Sequence, residues 1–124
     1  MIAADTSAWI SFFEGDEGGD VRALAKALQA RQVVMPPPVL TELLSDPELS
    51  PSVAQTLLEL PMVPIMGGFW YRAGKLRSKA LARKRKARLG DALIAQCCID
   101  ANILLITRDA DFKAFSEALK LNLS

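Results

Sequence analysis

The chain has 124 residues, 51% of them apolar, with a formal net charge of +1, two cysteines and no histidine. That is the length of one domain, with enough apolar side chain to bury a core without disulfide or zinc staples. The lack of histidine excludes imidazole chemistry, and two adjacent cysteines make no metal-ligand spacing, so any site must be built from carboxylates, hydroxyls and basic groups.

No run reaches the roughly 18–20 apolar residues of a membrane span, and the sequence opens on an apolar segment rather than on a basic head and cleavage site. A soluble, unprocessed, cytoplasmic protein is the expectation. Cys97 and Cys98 lie inside the apolar run 92–99, which fits buried reduced thiols.

Residues 1–5 read as a buried strand ending in Asp5, with Thr6 or Ser7 capping a helix through Phe13. The acidic, glycine-containing stretch 14–19 is a loop, after which Asp20 opens an amphipathic helix carrying Val21, Leu24, Ala25 and Leu28 on one face. Residues 33–35 predict a second strand, stopped by Pro36, Pro37 and Pro38, which feed a helix bearing Glu42 and Leu43. Asp46-Pro47 breaks that helix, and Ser50-Pro51 starts another with Val53, Leu57, Leu58 and Leu60. Residues 61–65 read as an edge strand because two prolines interrupt them.

Gly67-Gly68 predicts a turn into a long helix over 69–82, and the densely charged 84–89 a loop or frayed helix end. A helix runs from Gly90-Asp91 to Asp100, followed by a buried strand at 103–106, a loop at 107–111, a helix over 112–119 and a last short strand at 121–123. Alternating strands and helices predict an α/β fold, a single domain with a mostly parallel central sheet flanked by helices on both faces.

The small net charge conceals an asymmetry. Nine of the fifteen basic residues lie between Arg72 and Arg88 with no acid among them, whereas Asp5, Glu14, Asp16, Glu17 and Asp20 make the opening acidic. A cationic stripe beside an anionic site suits a polyanion bridged to protein by metal ions; a solvated helix face is the plainer reading of the same run. Carboxylates meanwhile recur at the edges of apolar runs, where strands or helices give way to turns: Asp5, Glu42, Asp91, and the pair Asp109 and Asp111. Singly each has an ordinary explanation, Asp91 as a first-turn carboxylate and the pair as loop polarity. Together they converge on one edge of a parallel sheet, where acids about 4 Å apart repel by about 1–4 kcal/mol per pair unless cations offset the charge. That pattern reads as a hard-cation site for Mg²⁺ or Mn²⁺.

Four motifs in order carry a resemblance: Asp5-Thr6-Ser7-Ala8-Trp9-Ile10, Thr41-Glu42-Leu43-Leu44, Asp91-Ala92-Leu93-Ile94-Ala95 and Thr107-Arg108-Asp109-Ala110-Asp111-Phe112. The whole chain resembles a PIN-domain ribonuclease, most closely the VapC-type toxin of toxin–antitoxin pairs. The resemblance implies a metal-dependent endoribonuclease whose catalytic quartet is Asp5, Glu42, Asp91 and Asp109. Asp5, Asp91 and Asp109 would hold Mg²⁺ or Mn²⁺, Asp111 would assist, and the hydroxyls of Thr6 and Thr107 would hydrogen-bond within the site. RNA would be held through Arg72, Arg83, Lys84, Arg85, Lys86 and Arg88. A cognate antitoxin would lay a helical tail in an apolar groove lined by Trp9, Phe12, Phe13 and the leucines of 53–60, and the toxin would pair as a homodimer.

Ser45-Asp46, where many relatives carry a glycine, the triple proline and the dense basic run depart from the family pattern. A non-catalytic PIN-like module that binds RNA or protein is the alternative, and the intact acidic set argues against it. A phosphatase built on Asp5 would want a second acid at position 7, which is Ser7, and a dinucleotide-binding domain would want a glycine-rich turn after the first strand.

Overall fold

The opening apolar run becomes β1 (Ile2–Ala4), which pairs in parallel with β2 (Leu104–Ile106) in the register Ile2–Leu104, Ala3–Leu105 and Ala4–Ile106. These elements belong to a computed structural model that describes residues 1–116 and 121–124. Ala3, Ala4, Leu105 and Ile106 are all buried. Successive strand residues point to opposite faces, so both faces of the sheet are covered.

Single parallel bridges widen this pair on both sides: Ile2 with Val33, Met35 with Met62, and Leu105 with Leu123. The expected strands at 33–35, 61–65 and 121–123 therefore occupy sheet positions without forming full ladders. Proline is the physical reason at two of them. Met35 donates to the Pro61 carbonyl and accepts from Val63, but Pro36, Pro37, Pro61 and Pro64 have no N–H with which to extend the pairing.

Around the sheet run α1 (Thr6–Phe13), α2 (Gly19–Gln29), α3 (Pro37–Leu44), α4 (Pro51–Leu58), α5 (Phe69–Ala82) and α6 (Leu89–Ala101). A 3₁₀ turn at Ala110–Phe112 leads into α7 (Lys113–Ser116). The cap of α1 is Asp5 rather than Thr6 or Ser7, because its carboxylate accepts from the Ala8 amide. Proline fills the first turn of α3 and α4, where its missing N–H costs nothing. The helix expected over 112–119 begins earlier, as the 3₁₀ turn, and positions 117–119 lie outside the described residues.

α6 is the centre of the molecule. Ala92, Ile94, Ala95, Gln96, Cys97 and Cys98 are buried in succession, so the helix is enclosed on nearly all sides, by α5, α3 and β2. Burial pushes both thiols up to about 12, which keeps Cys97 and Cys98 protonated and unreactive. Arg72 on α5 ties this pair of helices together, donating through Nε and Nη2 to the two oxygens of Asp100, which also accepts from Gln96. Nor is the basic connection between them a frayed end: Arg77 Nε donates to the Ala87 carbonyl at 2.8 Å, and Ala87 is buried. Among the described residues, no helix is long and apolar enough to cross a membrane.

Candidate metal centre

Asp5 leaves β1 at the point where the chain turns into α1, and its carboxylate is buried among donors. Oδ1 accepts from the Ala8 amide at 2.9 Å, Ser7 Oγ donates to both oxygens, and Thr107 Oγ1 donates to Oδ2 at 2.6 Å. Thr107 follows β2, the neighbour of β1, so strand pairing brings the two residues together. From Thr107 the bonding continues along the loop: Asp109 N donates to Thr107 Oγ1, and Asp111 N donates to Asp109 Oδ1. Strand end, hydroxyl and loop carboxylates thus form one connected framework.

Asp91 enters from the first turn of α6, and Glu42 from α3. Thr6 donates to Glu42 Oε1 at 2.6 Å. Gly90, next to Asp91, lies against the Glu42 side chain, where a Cβ would stand 3.3 Å from Oε2.

Asp91, Asp109 and Asp111 each offer an oxygen within 4.8 Å of the others. Burial, reinforced by the charges of Asp109 and Glu42, raises the Asp91 carboxyl to about 6, against the opposing pull of Arg88. Burial is also the main cause of the raised Asp5 carboxyl, which its hydrogen bonds only partly offset. Asp91 Oδ2 is buried without a hydrogen-bond partner. An orphaned buried oxygen facing two further carboxylates, all hard donors, fits a small divalent cation such as Mg²⁺ or Mn²⁺. Asp5 and Glu42 flank this triad.

The PIN domain profile matches residues 2–118. The chain belongs to the PIN domain family. It is 28% identical to the VapC ribonuclease Mb1587 of Mycobacterium bovis, over 98% of this chain and 96% of that protein, and equally to the ribonuclease VapC11 of Mycobacterium tuberculosis. Among solved structures, VapBC2 from Rickettsia felis, bound to a DNA fragment from its promoter, matches 100% of this chain and 98% of its own with a TM-score of 0.70 at 20% identity. VapC20 of Mycobacterium tuberculosis, a toxin that cleaves the Sarcin-Ricin loop, matches 98% and 99% with a TM-score of 0.62 at 22% identity.

Within this PIN domain the basic residues do not act as one group. Arg72 is engaged by Asp100, nine residues along α6 from Asp91 and hence about 13 Å down the helix axis. Arg88 caps α6 beside Asp91, and Lys86 Nζ lies 3.6 Å from Asp111 Oδ2. Arg83 ends α5, and Lys84 holds the connection in a left-handed turn at φ +60°. The structure therefore separates Arg72 from Lys86 and Arg88, which adjoin the acids.

The expected apolar groove is also redrawn. Trp9 and Leu57 are core residues, whereas a cavity of about 280 Å³ opens between Ile10, Phe13, Leu43, Leu49 and Val53, with Glu42 in its wall. Trp9 instead packs on Phe13 and edge-on to Phe12, and its truncation to alanine would cost about 3–5 kcal/mol. Two residues of the centre escaped sequence reasoning. Ser7 is visible only as a hydroxyl two positions after an N-cap acid, and Arg108, inside the Thr107–Asp111 motif, has side-chain partners some ninety positions away.

Proposed function

We propose that this PIN domain is a metal-dependent endoribonuclease of the VapC toxin kind, hydrolysing RNA phosphodiester bonds in the cytoplasm. The observation that carries the reading is the triad of Asp91, Asp109 and Asp111 at ligand spacing with an unpartnered buried oxygen on Asp91. The relatives named as VapC ribonucleases support the substrate class.

In this reading Asp91, Asp109 and Asp111 hold Mg²⁺ or Mn²⁺, with Asp5 adjoining and braced by Ser7, Ala8 and Thr107. A cation held there would supply charge to offset the carboxylates and a more acidic water for phosphodiester hydrolysis. Glu42, held by Thr6 and near enough to Asp91 for its charge to raise that carboxyl, would position a water at the site. Arg83, Lys84, Arg85, Lys86 and Arg88 hold the phosphate backbone, while Arg72 serves the α5–α6 contact instead. The partner is an antitoxin helix in the cavity beside Ile10 and Phe13, whose wall ends at Glu42. A second copy pairs through the exposed Ile65, Met66, Trp70 and Leu89.

The test is incubation of the purified protein with total RNA in Mg²⁺, Mn²⁺ or EDTA, beside Asp91→Asn. Discrete fragments that require both the cation and Asp91 are expected. Cleavage that persists in EDTA or in a folded Asp91→Asn protein would end the proposal.

A further inference from the structure

Arg108 stands between Thr107 and Asp109, two members of the hydrogen-bonded framework that ends on Asp5. Its side chain nevertheless turns away from the carboxylates. Nε and Nη2 donate to the two oxygens of Asp20, Nη2 also donates to the Glu17 carbonyl, and Nη1 lies 3.7 Å from Asp16 Oδ2. Gly18 lines this seat: at φ +146°, it passes so close that a Cβ there would lie 2.8 Å from Arg108 Nη2 and 2.6 Å from Asp20 Oδ1. The backbone is tied as well, since Arg108 N donates to Ser7 Oγ at 3.3 Å, the hydroxyl that itself donates to Asp5.

The charge of Arg108 is thus committed to acids outside the triad, and its bidentate fork is occupied. What it supplies is position. Asp109 and Asp111 sit on a short loop beside Asp91, and carboxylates this close push each other apart in the absence of a cation. An anchor at the middle of the loop resists that spreading and keeps the oxygens at ligand distance before an ion arrives. We infer that Arg108 is a positioning residue for the metal centre, holding the Thr107–Asp111 segment by clamping it to residues 16–20, where the chain enters α2. The inference rests on the reading of the triad as a cation site.

The test compares wild type, Arg108→Gln, Arg108→Lys, Asp20→Asn, the Arg108→Gln/Asp20→Asn double variant and Asp91→Asn, each checked for folding by circular dichroism. Mn²⁺ affinity is measured by electron paramagnetic resonance, amide exchange at Asp109 and Asp111 by NMR, and kcat and KM on a cleaved RNA. Arg108→Gln is expected to weaken Mn²⁺ binding about tenfold, the scale of an outer-sphere ligand partner. It should also speed both amides and lower kcat at fixed Mn²⁺ with little change in KM. Asp20→Asn should do the same more mildly, the double variant should be no worse than Arg108→Gln, and Arg108→Lys, which keeps the charge without the fork, should recover part of the loss. Unchanged Mn²⁺ affinity and exchange in Arg108→Gln would overturn the inference, as would a rise confined to KM with Asp20→Asn silent, which would make Arg108 a phosphate contact. Wild type that binds Mn²⁺ no better than Asp91→Asn would instead sink the cation-site reading, and the inference with it.

Discussion

Asp91 carries the most consequential single charge in the molecule. Its carboxyl lies at about 6 rather than the ordinary 3.8, chiefly through burial and then through Asp109 and Glu42. The folded value is above the unfolded one, so folding takes up a proton between those limits. Stability from this group is present below pH 3.8, declines as pH rises towards 6, and above that the folded protein bears an uncompensated anion. After discounting for the carboxyl's partial solvent contact, the cost at neutral pH is about 1 kcal/mol. Asp91→Asn is therefore expected to raise Tm by about 4 °C in EDTA at pH 7.5 and to lose that advantage near pH 4. Adding Mn²⁺ should reverse the order, stabilising wild type alone. A variant that melts with or below wild type in EDTA at pH 7.5 would show that the site carries no such strain.

Pairs of elements show a different balance. Burial alone would raise the Asp100 carboxyl, but hydrogen bonds from Arg72 and Gln96, with the Arg72 charge, outweigh it and hold it below 3.8. The α5–α6 link it makes is accordingly present at neutral pH and lost as pH falls through that depressed value. Asp100→Asn should lower Tm by about 3 °C at pH 7, with the gap to wild type closing below pH 3.8 in parallel melts. A gap independent of pH would assign the loss to packing. At this scale the sequence is readable wherever a local signal exists. Ser50-Pro51 starts α4 as capping and proline rules require, and the apolar run after Asp91, interrupted only by Gln96, announces α6. Arg72 was not readable in this way, because its partner is 28 residues distant and a run of like charges gives no hint of which member is engaged. Arg108 is the same case with longer separations. The strands at 33–35 and 61–65 shrank to bridges because proline, obvious as a helix starter, also removes the donors a ladder needs.

Over the whole molecule folding brings the end of the basic run to the acidic centre, where Lys86 faces Asp111 and Arg88 adjoins Asp91. Asp5 and the Thr107–Asp111 motif were legible because the parallel strands β1 and β2 deliver their C-terminal ends to one edge, a rule that needs no knowledge of distances. For the basic run, Arg83→Ala/Lys84→Ala is expected to weaken RNA binding and to reduce the slope of log K against log salt by roughly 1.4, about 0.7 for each lost single-strand phosphate contact. Mn²⁺ affinity should stay at the wild-type value. An unaltered slope would mark both residues as solvated surface.

The pairing of β1 with β2 joins residues 2–4 to residues 104–106. On a ribosome the first strand therefore emerges long before its partner, and Asp5 cannot receive its bond from Thr107 until about a hundred further residues have been added. At about 5–20 residues per second that is a delay of about 5–20 seconds. A nascent chain that has not yet reached Thr107 therefore has no assembled centre.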